Sequence, residues 1–484
     1  MVRRAFIWFG RMLGVLARGG RPGAPGHPHQ AVKSDAVSGL DSTPPPVSPP
    51  PQPLSQTEPR VPFPAPQLPA DRDKAQPVMA RPSVTFTVGL DFGTYSTKIV
   101  VRRRGDISAS LMTVEPPVHG YPPFVSPSVV RVQDGRLWFG GQALCHTRGT
   151  LYRSSKVHLL PPELLIDEFL PPEAPEGSLA PEFVVAAYLS WVFSGIRQKV
   201  EALYPTPAVR LQLNVGAPMH HLEHPGLKGR YLRVIQAVWE SVCGAHPFPV
   251  HQGIELDDVC CGFERWLRDE AAVPGPEVRE YEVHPETIAP LVSLARDPRM
   301  SPGMYLVVDM GAGTTEISVN KVHSSGRVLC WFDQSVPIGG DHLGGDPAVL
   351  AAAVRHFAHD FRTTWGRGYL RVAGNLVARK EWKELTVVRF GGATKHPDVG
   401  GVISGGREIM YAFPNEDRVY RVMTHNPTGI QTAPEGDGYD GYLLAVAHGL
   451  SVPRRQWPIF YEPGQLDNPP PTPVRELTDR DADI

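Results

Sequence analysis

The chain has 484 residues, a formal net charge of −2, and 41% hydrophobic and 20% charged residues. These values exclude a collagen, a wholly disordered chain and a strongly basic nucleic-acid binder, and they leave room for one large two-lobed domain or two to three ordinary ones. The five cysteines include no CxxC pair, which favours reduced thiols in a cytoplasmic protein over a disulfide framework or a zinc site.

Residues 1–18 form a basic, acid-free segment that predicts an amphipathic helix. Arg4, Arg11 and Arg18 recur every seven residues, which places them on one stripe of a helix, and apolar residues fill most of the remaining surface. A helix of this kind can lie in a membrane interface. We therefore expect a cytoplasmic protein that this segment holds on the inner membrane face. The same composition also fits a targeting peptide, or a segment with neither role.

Proline-rich segments flank the predicted folded part of the chain. Residues 19–82 include PPPVSPPPQP and show no hydrophobic periodicity. Such a segment cannot bury enough apolar surface to offset its chain entropy, so we predict a disordered, polyproline-rich linker. A ligand for a proline-reading domain is the alternative, because PxxP occurs. Residues 453–484 are rich in proline and acid and predict a disordered tail.

The predicted folded part begins near residue 83 and contains both strands and helices. Residues 83–106 predict a strand, a tight turn and a second strand, because apolar side chains alternate before the turn and a β-branched run follows it. Residues 181–203 begin with a proline and predict a buried helix. The other predicted elements are a strand at 209–215 and helices at 346–363 and 441–450.

Two hairpins of matching sequence are the most informative feature. LDFGTYSTKIVV occupies residues 90–101 and VDMGAGTTEISV occupies residues 308–319. Asp91 and Asp309 take the same place in the two copies. A repeat at this distance does not indicate a solenoid. It predicts two related α/β lobes, each of which contributes one hairpin to a shared cleft.

The composition of these turns suits phosphate and magnesium chemistry. Glycine lets the backbone approach a ligand and adopt positive φ, so that successive N–H groups converge on an anion. An aspartate at the end of the preceding strand can hold Mg²⁺, which bridges phosphates, and the hydroxyls of Thr94, Thr314 and Thr315 add donors. The P-loop pattern GxxxxGK[ST] is absent from the sequence, which excludes that nucleotide site.

Five motifs, in order along the chain, resemble the actin, sugar-kinase and heat-shock ATPase superfamily, most closely the ATPase domain of DnaK-type heat-shock chaperones. They are VGLDFGTYSTKIVV, VVDMGAGTTEISV, IGGDHLGGD (338–346), LTVVRFGGATKHPDV (385–399) and YLLAVAHGLSV (442–452). The resemblance covers roughly residues 84–452. It implies an α/β, two-lobed actin-like ATPase fold, with duplicated ribonuclease-H-like lobes and a reduced adenine-side subdomain. Lobe I would span 83–300, completed by 440–452, and lobe II would span 301–439.

The resemblance also implies roles for individual residues, with ATP or ADP and Mg²⁺ as cofactors. Asp91 and Asp309 would sit near Mg²⁺ and the attacking water, and Lys156 would match the catalytic lysine. Glu286 would match a metal-proximal glutamate, although proline and glutamate are transposed in its segment, VHPETIAPL. The implied nucleotide-binding residues are Gly93, Thr94, Tyr95, Gly311, Ala312, Gly313, Thr314, Gly340, Gly391, Gly392 and Lys395. The implied metal-binding residues are Asp91, Asp309 and Glu316.

The chain departs from the family in ways that bear on activity. Ala312 replaces a glycine, and Glu316 stands where an aspartate is usual. The segment between Asp346 and the strand near residue 386 is too short for the whole subdomain that closes over adenine in the chaperones. Residues 453–484 are too few for a peptide-binding domain with its lid, which argues against a full chaperone.

We therefore expect an ATP-binding conformational switch with slow Mg²⁺-dependent hydrolysis, acting on an unidentified protein partner and, through residues 1–18, on a membrane surface. The alternatives are a catalytically weak or inactive nucleotide-binding scaffold and a membrane-tethered actin-like filament protein. We expect no nucleic-acid partner and no structural metal. His220, His221 and His224 spell HHxxH in a predicted turn, and we interpret them as solvated loop histidines because no further ligands accompany them.

Overall fold

A computed structural model describes much of the chain between residues 83 and 461. The described residues are 83–153, 156, 159, 179–205, 208–218, 221–222, 224–268, 273–275, 279–295, 300–312, 314–325, 327–336, 384–392, 419–424, 427, 429–431 and 441–461. They belong to one compact unit. The predicted N-terminal helix, the linker and the helix at 346–363 lie outside the described residues.

The described residues form a mixed α/β fold with several sheets. The strands are β1 (Ser83–Phe92), β2 (Ser96–Arg103), β3 (Ala109–Met112), β4 (Ser126–Pro127), β5 (Val130–Gln133), β6 (Arg136–Phe139), β7 (Thr150–Tyr152), β8 (Ala208–Ala217), β9 (Ile254–Glu255), β10 (Tyr281–Pro285), β11 (Gly303–Met310), β12 (Thr315–Val322), β13 (Val328–Val336), β14 (Glu384–Phe390), β15 (Val419–Thr424), β16 (Ile430–Gln431) and β17 (Phe460–Tyr461). The α-helices are α1 (Gly140–Cys145), α2 (Pro181–Leu203), α3 (Pro225–Cys243), α4 (Leu256–Leu267), α5 (Ala289–Leu294) and α6 (Ala445–Leu450).

The first sheet is built around the hairpin predicted at residues 83–106, which the structure confirms. β1 and β2 are antiparallel, and β3 continues the antiparallel run beyond β2. On the other side of β1, β8 and then β10 lie parallel to it. The order is β10-β8-β1-β2-β3, with β16 beside β3 and β4 paired with β2. The predicted strand at 209–215 is therefore confirmed as β8.

The second sheet repeats this arrangement strand for strand. β11, β12 and β13 form an antiparallel run, and β14 and then β15 lie parallel to β11 on its other side. The order is β15-β14-β11-β12-β13, with β17 added at the β13 edge. The similarity that the sequence showed in two hairpins thus extends to two five-strand arrangements of the same order and direction.

The two faces of β1 pack against different elements, because successive side chains of a strand point to opposite faces. Phe86, Val88 and Leu90 enter the large core that α2 and α3 share with the first sheet. On the other face, a Cβ on Gly89 would collide with the carbonyl oxygen of Ala447 and the backbone nitrogen of Ser451. The predicted helix at 181–203 is confirmed as α2, and glycine at position 89 lets α6 lie directly on β1.

Helix α6 also crosses α5 at very close range. A Cβ on Gly449 would collide with the carbonyl oxygen of Ala289. Helix α5 in turn packs against the second sheet, where Leu291 and Val292 share a core with Val307 and Val388. The pair α5–α6 therefore connects the two sheets. The predicted helix at 441–450 is confirmed, as a 3₁₀ turn (Gly441–Leu444) followed by α6.

The chain after α6 is packed where a disordered tail was predicted. Residues 454–456 form a 3₁₀ turn, and β17 pairs in parallel with β13. The ring of Trp457 stacks on His284 of β10 with 4.1 Å between ring centroids. The prediction of a disordered tail is therefore wrong for residues 453–461. The Trp457 ring and the pairing of β17 with β13 supply contacts that composition does not reveal. Residues 462–484 lie outside the described residues.

A third, smaller sheet has the order β7-β5-β6-β9, and no sequence pattern predicted it. Among the described residues, no helix combines the length and the apolar character needed to cross a membrane.

Candidate functional site

The two matched hairpins have the same register and bring their aspartates to equivalent places. Asp91 lies opposite Lys98 across β1 and β2, and Asp309 lies opposite Glu316 across β11 and β12. Residues that face each other in an antiparallel pair lie on the same face of the sheet. The two hairpins therefore present the same acid with partners of opposite charge, a lysine in the first and a glutamate in the second.

The first hairpin holds an ion pair between a buried aspartate and a partly buried lysine, next to a narrow turn. Asp91 is buried, and its Oδ2 lies 3.1 Å from Nζ of Lys98. A Cβ on Gly93 would lie 2.6 Å from the carbonyl oxygen of Ser96 and 3.2 Å from Nζ of Lys98. Only glycine fits at position 93 without a shift of the neighbouring backbone.

The remaining residues of this turn face outward. Thr94 is partly buried, and Tyr95 is 42% exposed. The Tyr95 ring stacks on Tyr121 with 4.5 Å between centroids. The predicted binding residues Gly93, Thr94 and Tyr95 thus follow one another along a turn that is accessible at its tip.

The second hairpin closes in a similar way. The N–H of Gly311 donates to the carbonyl of Thr314 at 2.9 Å, and Gly311, Ala312 and Thr314 are all partly buried. Gly313 lies outside the described residues.

Gly391 follows β14 and lies against the second hairpin. Its φ is 78°, and a Cβ there would collide with the backbone of Met310 and with a carboxylate oxygen of Asp309. Packing against Asp309 therefore requires glycine at position 391. This requirement is separate from the predicted contact of Gly391 with a nucleoside. Gly392 is exposed, and Gly340 and Lys395 lie outside the described residues.

Lys156 and Glu286, which the resemblance assigned to separate roles, form a buried ion pair. They are only 7% and 6% exposed. Gly216, at the end of β8, accommodates the glutamate, because a Cβ there would lie 2.8 Å from Cγ of Glu286. Burial opposes the charged form of the lysine, but attraction to Glu286 outweighs it and raises the pKa of Lys156. The lysine is therefore an ammonium ion at neutral pH.

Asp309 is strongly affected by the other carboxylates. Burial, followed by repulsion from Asp91 and Glu286, raises its pKa to about 7, although Lys98 and Lys156 act in the opposite direction. Asp309 therefore changes protonation state near neutral pH. Asp91 of the first sheet and Glu286, which follows β10, thus affect the pKa of Asp309 in the second sheet.

Glu316 and Glu286 are perturbed in the same direction. Burial, followed by repulsion from Glu286, raises the pKa of Glu316 well above its ordinary value, although Lys156 opposes the shift. Burial also raises the pKa of Glu286 against the attraction of Lys156. We call Asp91, Glu286, Asp309, Glu316, Lys98 and Lys156 the ionic cluster.

The ionic cluster has the composition of a site that receives a cation. It contains four carboxylates and two lysines, and Oε2 of Glu316 is buried without a hydrogen-bond partner among the described residues. Within those residues, no three His, Cys, Asp or Glu side chains are arranged to hold a metal ion directly. Mg²⁺ commonly binds through one or two carboxylates, with waters and phosphates completing its shell. The donors present therefore fit Mg²⁺ held together with phosphates, and they do not form a protein-only cage of Asp91, Asp309 and Glu316.

Lys98 is a functional candidate that the sequence analysis missed. The signal was present in the hairpin itself, because a tight antiparallel hairpin places the second residue after the turn opposite the second residue before it. Gly216 and Tyr231 were also missed, and no local pattern could have found them, since each reaches the cluster only through the fold.

Of the two described histidines in the HHxxH segment, His224 is exposed, as predicted, and His221 is buried. His221 is buried at 6% exposure, with Nδ1 3.4 Å from the hydroxyl of Tyr231. His224 is the N-cap of α3 and accepts a hydrogen bond from the N–H of Leu227. The interpretation of His221 as solvated was wrong, because packing of the following helix encloses it. His220 lies outside the described residues.

Comparison with known proteins leaves the site to be interpreted from its own geometry. No protein-family model matches the chain, and no curated protein matches it significantly.

Proposed function

We propose that the chain is a two-lobed, actin-like nucleotide-binding protein in which ATP and Mg²⁺ bind between the two hairpins and switch its conformation. One observation carries the proposal: two sheets of the same strand order each present a hairpin of the same register, and their acids interact within one ionic cluster. The resemblance to DnaK-type ATPase domains supports it. In this proposal residues 1–18 hold the switch at a membrane surface, and its output is an interaction with a protein partner.

The chain supplies each group that phosphoryl chemistry requires. The turn at 93–96 would offer backbone N–H groups to phosphate oxygens, and Thr94 and Thr314 would add hydroxyls. The N–H of Gly311 already donates to the carbonyl of Thr314. Lys98 and Lys156 would exchange their carboxylate partners for phosphate and stabilise negative charge. Asp91 and Asp309 would hold Mg²⁺, which neutralises phosphate charge when bound. As the resemblance implies, Asp309 would also lie near the attacking water.

A second candidate, a nucleotide-binding scaffold with little or no turnover, is favoured by a specific observation. Both lysines of the ionic cluster are paired with carboxylates, so binding a phosphate requires breaking a buried ion pair. Ala312 and Glu316 alter the second hairpin further. Slow or absent hydrolysis would follow from these features.

The test is MgATP binding and single-turnover hydrolysis by the full chain, beside Asp309→Ala and Lys156→Ala. The switch predicts that MgATP binds and is slowly hydrolysed, and that each substitution lowers the hydrolysis rate at least about 100-fold. Binding without hydrolysis in the unaltered chain would favour the scaffold. No binding at millimolar MgATP would refute both proposals.

A further inference from the structure

A buried polar network lies where α5, α6 and the first sheet meet. His448 of α6 is 2% exposed. Its Nε2 lies 2.8 Å from Nη2 of Arg102 on β2, and its Nδ1 lies 2.7 Å from Oγ of Ser293 on α5. One imidazole ring therefore contacts the hairpin strand of the first sheet and the helix that packs on the second sheet.

The chemistry of the three groups determines their roles. A guanidinium only donates hydrogen bonds, so Nε2 of His448 accepts from Arg102. A neutral imidazole then carries its proton on Nδ1 and donates it to the Ser293 hydroxyl. Nη1 of Arg102 also donates to the carbonyl of Ile107. The donor and acceptor are thereby assigned in both contacts of His448, and a relative shift of α5 and α6 would separate His448 from Ser293.

The network is connected to the ionic cluster along a single strand. Lys98, Val100 and Arg102 alternate along β2 and so share one face of the sheet. Lys98 pairs with Asp91, Val100 packs against Leu444 and Ala447, and Arg102 binds His448. At Gly89, α6 packs directly against the backbone of the sheet. Through Gly89 a movement of α6 would act on β1, which carries Asp91, and through Val100 and Arg102 it would act on β2, which carries Lys98.

We propose that Arg102, His448 and Ser293 form a latch that sets the position of the first hairpin relative to the second, and so controls the affinity of the ionic cluster for its ligand. The proposal rests on the proposed function for the identity of that ligand, MgATP. His448 is a positioning residue here, because it acts through β2 and α5 and touches no reacting atom. A buried network suits this role, because the loss of one of its hydrogen bonds leaves a buried polar group less well paired.

The test compares Ser293→Ala with Ser241→Ala in the full chain. Ser241 is a matched control, because its buried hydroxyl donates to Ser190 between α3 and α2, away from the latch. We expect the two variants to lose similar thermal stability, but only Ser293→Ala to change the Kd for MgATP, by about fivefold or more. His448→Gln, whose amide can both accept and donate, should lie closer to the unaltered chain than His448→Leu. Equal effects of Ser293→Ala and Ser241→Ala on Kd would overturn the proposal.

A second measurement separates the latch from the identity of the ligand. Hydrogen exchange without nucleotide should rise in residues 91–98 and 309–316 of Ser293→Ala and stay unchanged there in Ser241→Ala. If the unaltered chain fails to bind MgATP, the proposed function fails, and this exchange pattern alone decides on the latch. Unchanged exchange in both hairpins of Ser293→Ala would then overturn it.

Discussion

At the scale of single residues, the ionic cluster is defined by an excess of carboxylates over lysines. The hairpins are alike in register, yet the residue opposite the aspartate is Lys98 in one and Glu316 in the other. In the first hairpin the aspartate is thus neutralised by an ion pair, while in the second a glutamate lies opposite the aspartate. Burial, followed by repulsion from neighbouring carboxylates, raises the pKa of both Asp309 and Glu316, so they hold protons more tightly than ordinary carboxyls.

The protonation of Asp309 predicts how stability depends on pH. The folded chain keeps a proton on Asp309 up to about pH 7, whereas the unfolded chain releases it near pH 4. The folded state binds more protons between these values, so the Asp309 contribution to stability falls as the pH rises from 4 to 7. Asp309→Asn should therefore stabilise the chain at pH 8, without Mg²⁺ or nucleotide, by on the order of 2–4 kcal/mol.

Urea unfolding of the unaltered chain and Asp309→Asn at pH 5 and pH 8 measures this effect. The stabilisation by asparagine should shrink towards pH 5, where the aspartic acid is itself mostly neutral. A stabilisation that grows in acid, or that does not vary with pH, would contradict the assignment.

The Lys156–Glu286 pair makes a second prediction at this scale. Removing one member of a buried pair leaves an uncompensated charge, so Lys156→Met should destabilise the chain by roughly 3 kcal/mol. Lys156→Met combined with Glu286→Met should recover most of that loss, because no buried charge remains. Arg268→Met is the control, since the Arg268–Glu264 pair is exposed and should contribute less than about 1 kcal/mol. Chemical unfolding of the unaltered chain, Lys156→Met, Glu286→Met and the double variant would show additive losses if the two residues did not interact.

At the scale of elements, glycines determine how closely the helices approach the sheet and each other. Gly89 admits α6 onto β1, and Gly449 admits the backbone of α5. Both helices are short, so their stability comes from this packing rather than from helix propensity. The contacts position the elements that connect the two sheets.

The crossing of α5 and α6 predicts that Gly449→Ala is severely destabilising. The added methyl would collide with the carbonyl of Ala289, and a backbone shift is costly in a packed core, so we expect a loss of roughly 3 kcal/mol or more. Gly303→Ala is the matched control, because no atom lies within 4 Å of its added Cβ. Differential scanning calorimetry should show a large decrease in Tm for Gly449→Ala only. Similar Tm values for the two variants would mean that the helices are not in close contact.

At the scale of the whole molecule, residues 453–461 connect the two sheets a second time. Trp457 stacks on His284 of the first sheet, and its Nε1 donates to the carbonyl of Val452. Arg454 pairs with Glu282 on the same strand, β10. A few residues later, β17 joins β13 of the second sheet. This segment therefore lies across both sheets.

The prediction at this scale is that Trp457→Ala loosens the segment. We expect a loss of about 2 kcal/mol from the missing ring contacts and hydrogen bond, and faster hydrogen exchange in β17. Ile459→Ala is the control, because Ile459 is 57% exposed and its side chain contributes little to the packing. Unchanged exchange in β17 of Trp457→Ala would show that the pairing with β13 holds the segment without the indole.

The amino-acid sequence by itself determined the local structure of those described elements whose sequence patterns are strong. The two hairpins, α2, β8 and the helix at 441–450 follow from periodicity, β-branched runs and glycine or proline positions, which act over a few residues. The same patterns located Asp91 and Asp309, because a strand, an acid and a glycine turn are neighbours in the chain. The tertiary structure decided what no local pattern contains: that the sheets share one strand order, that Lys156 pairs with Glu286, that Lys98 belongs to the cluster, and that residues 453–461 are packed. Each of these depends on contacts between residues far apart in the chain, whose energies come from burial and charge in the folded state.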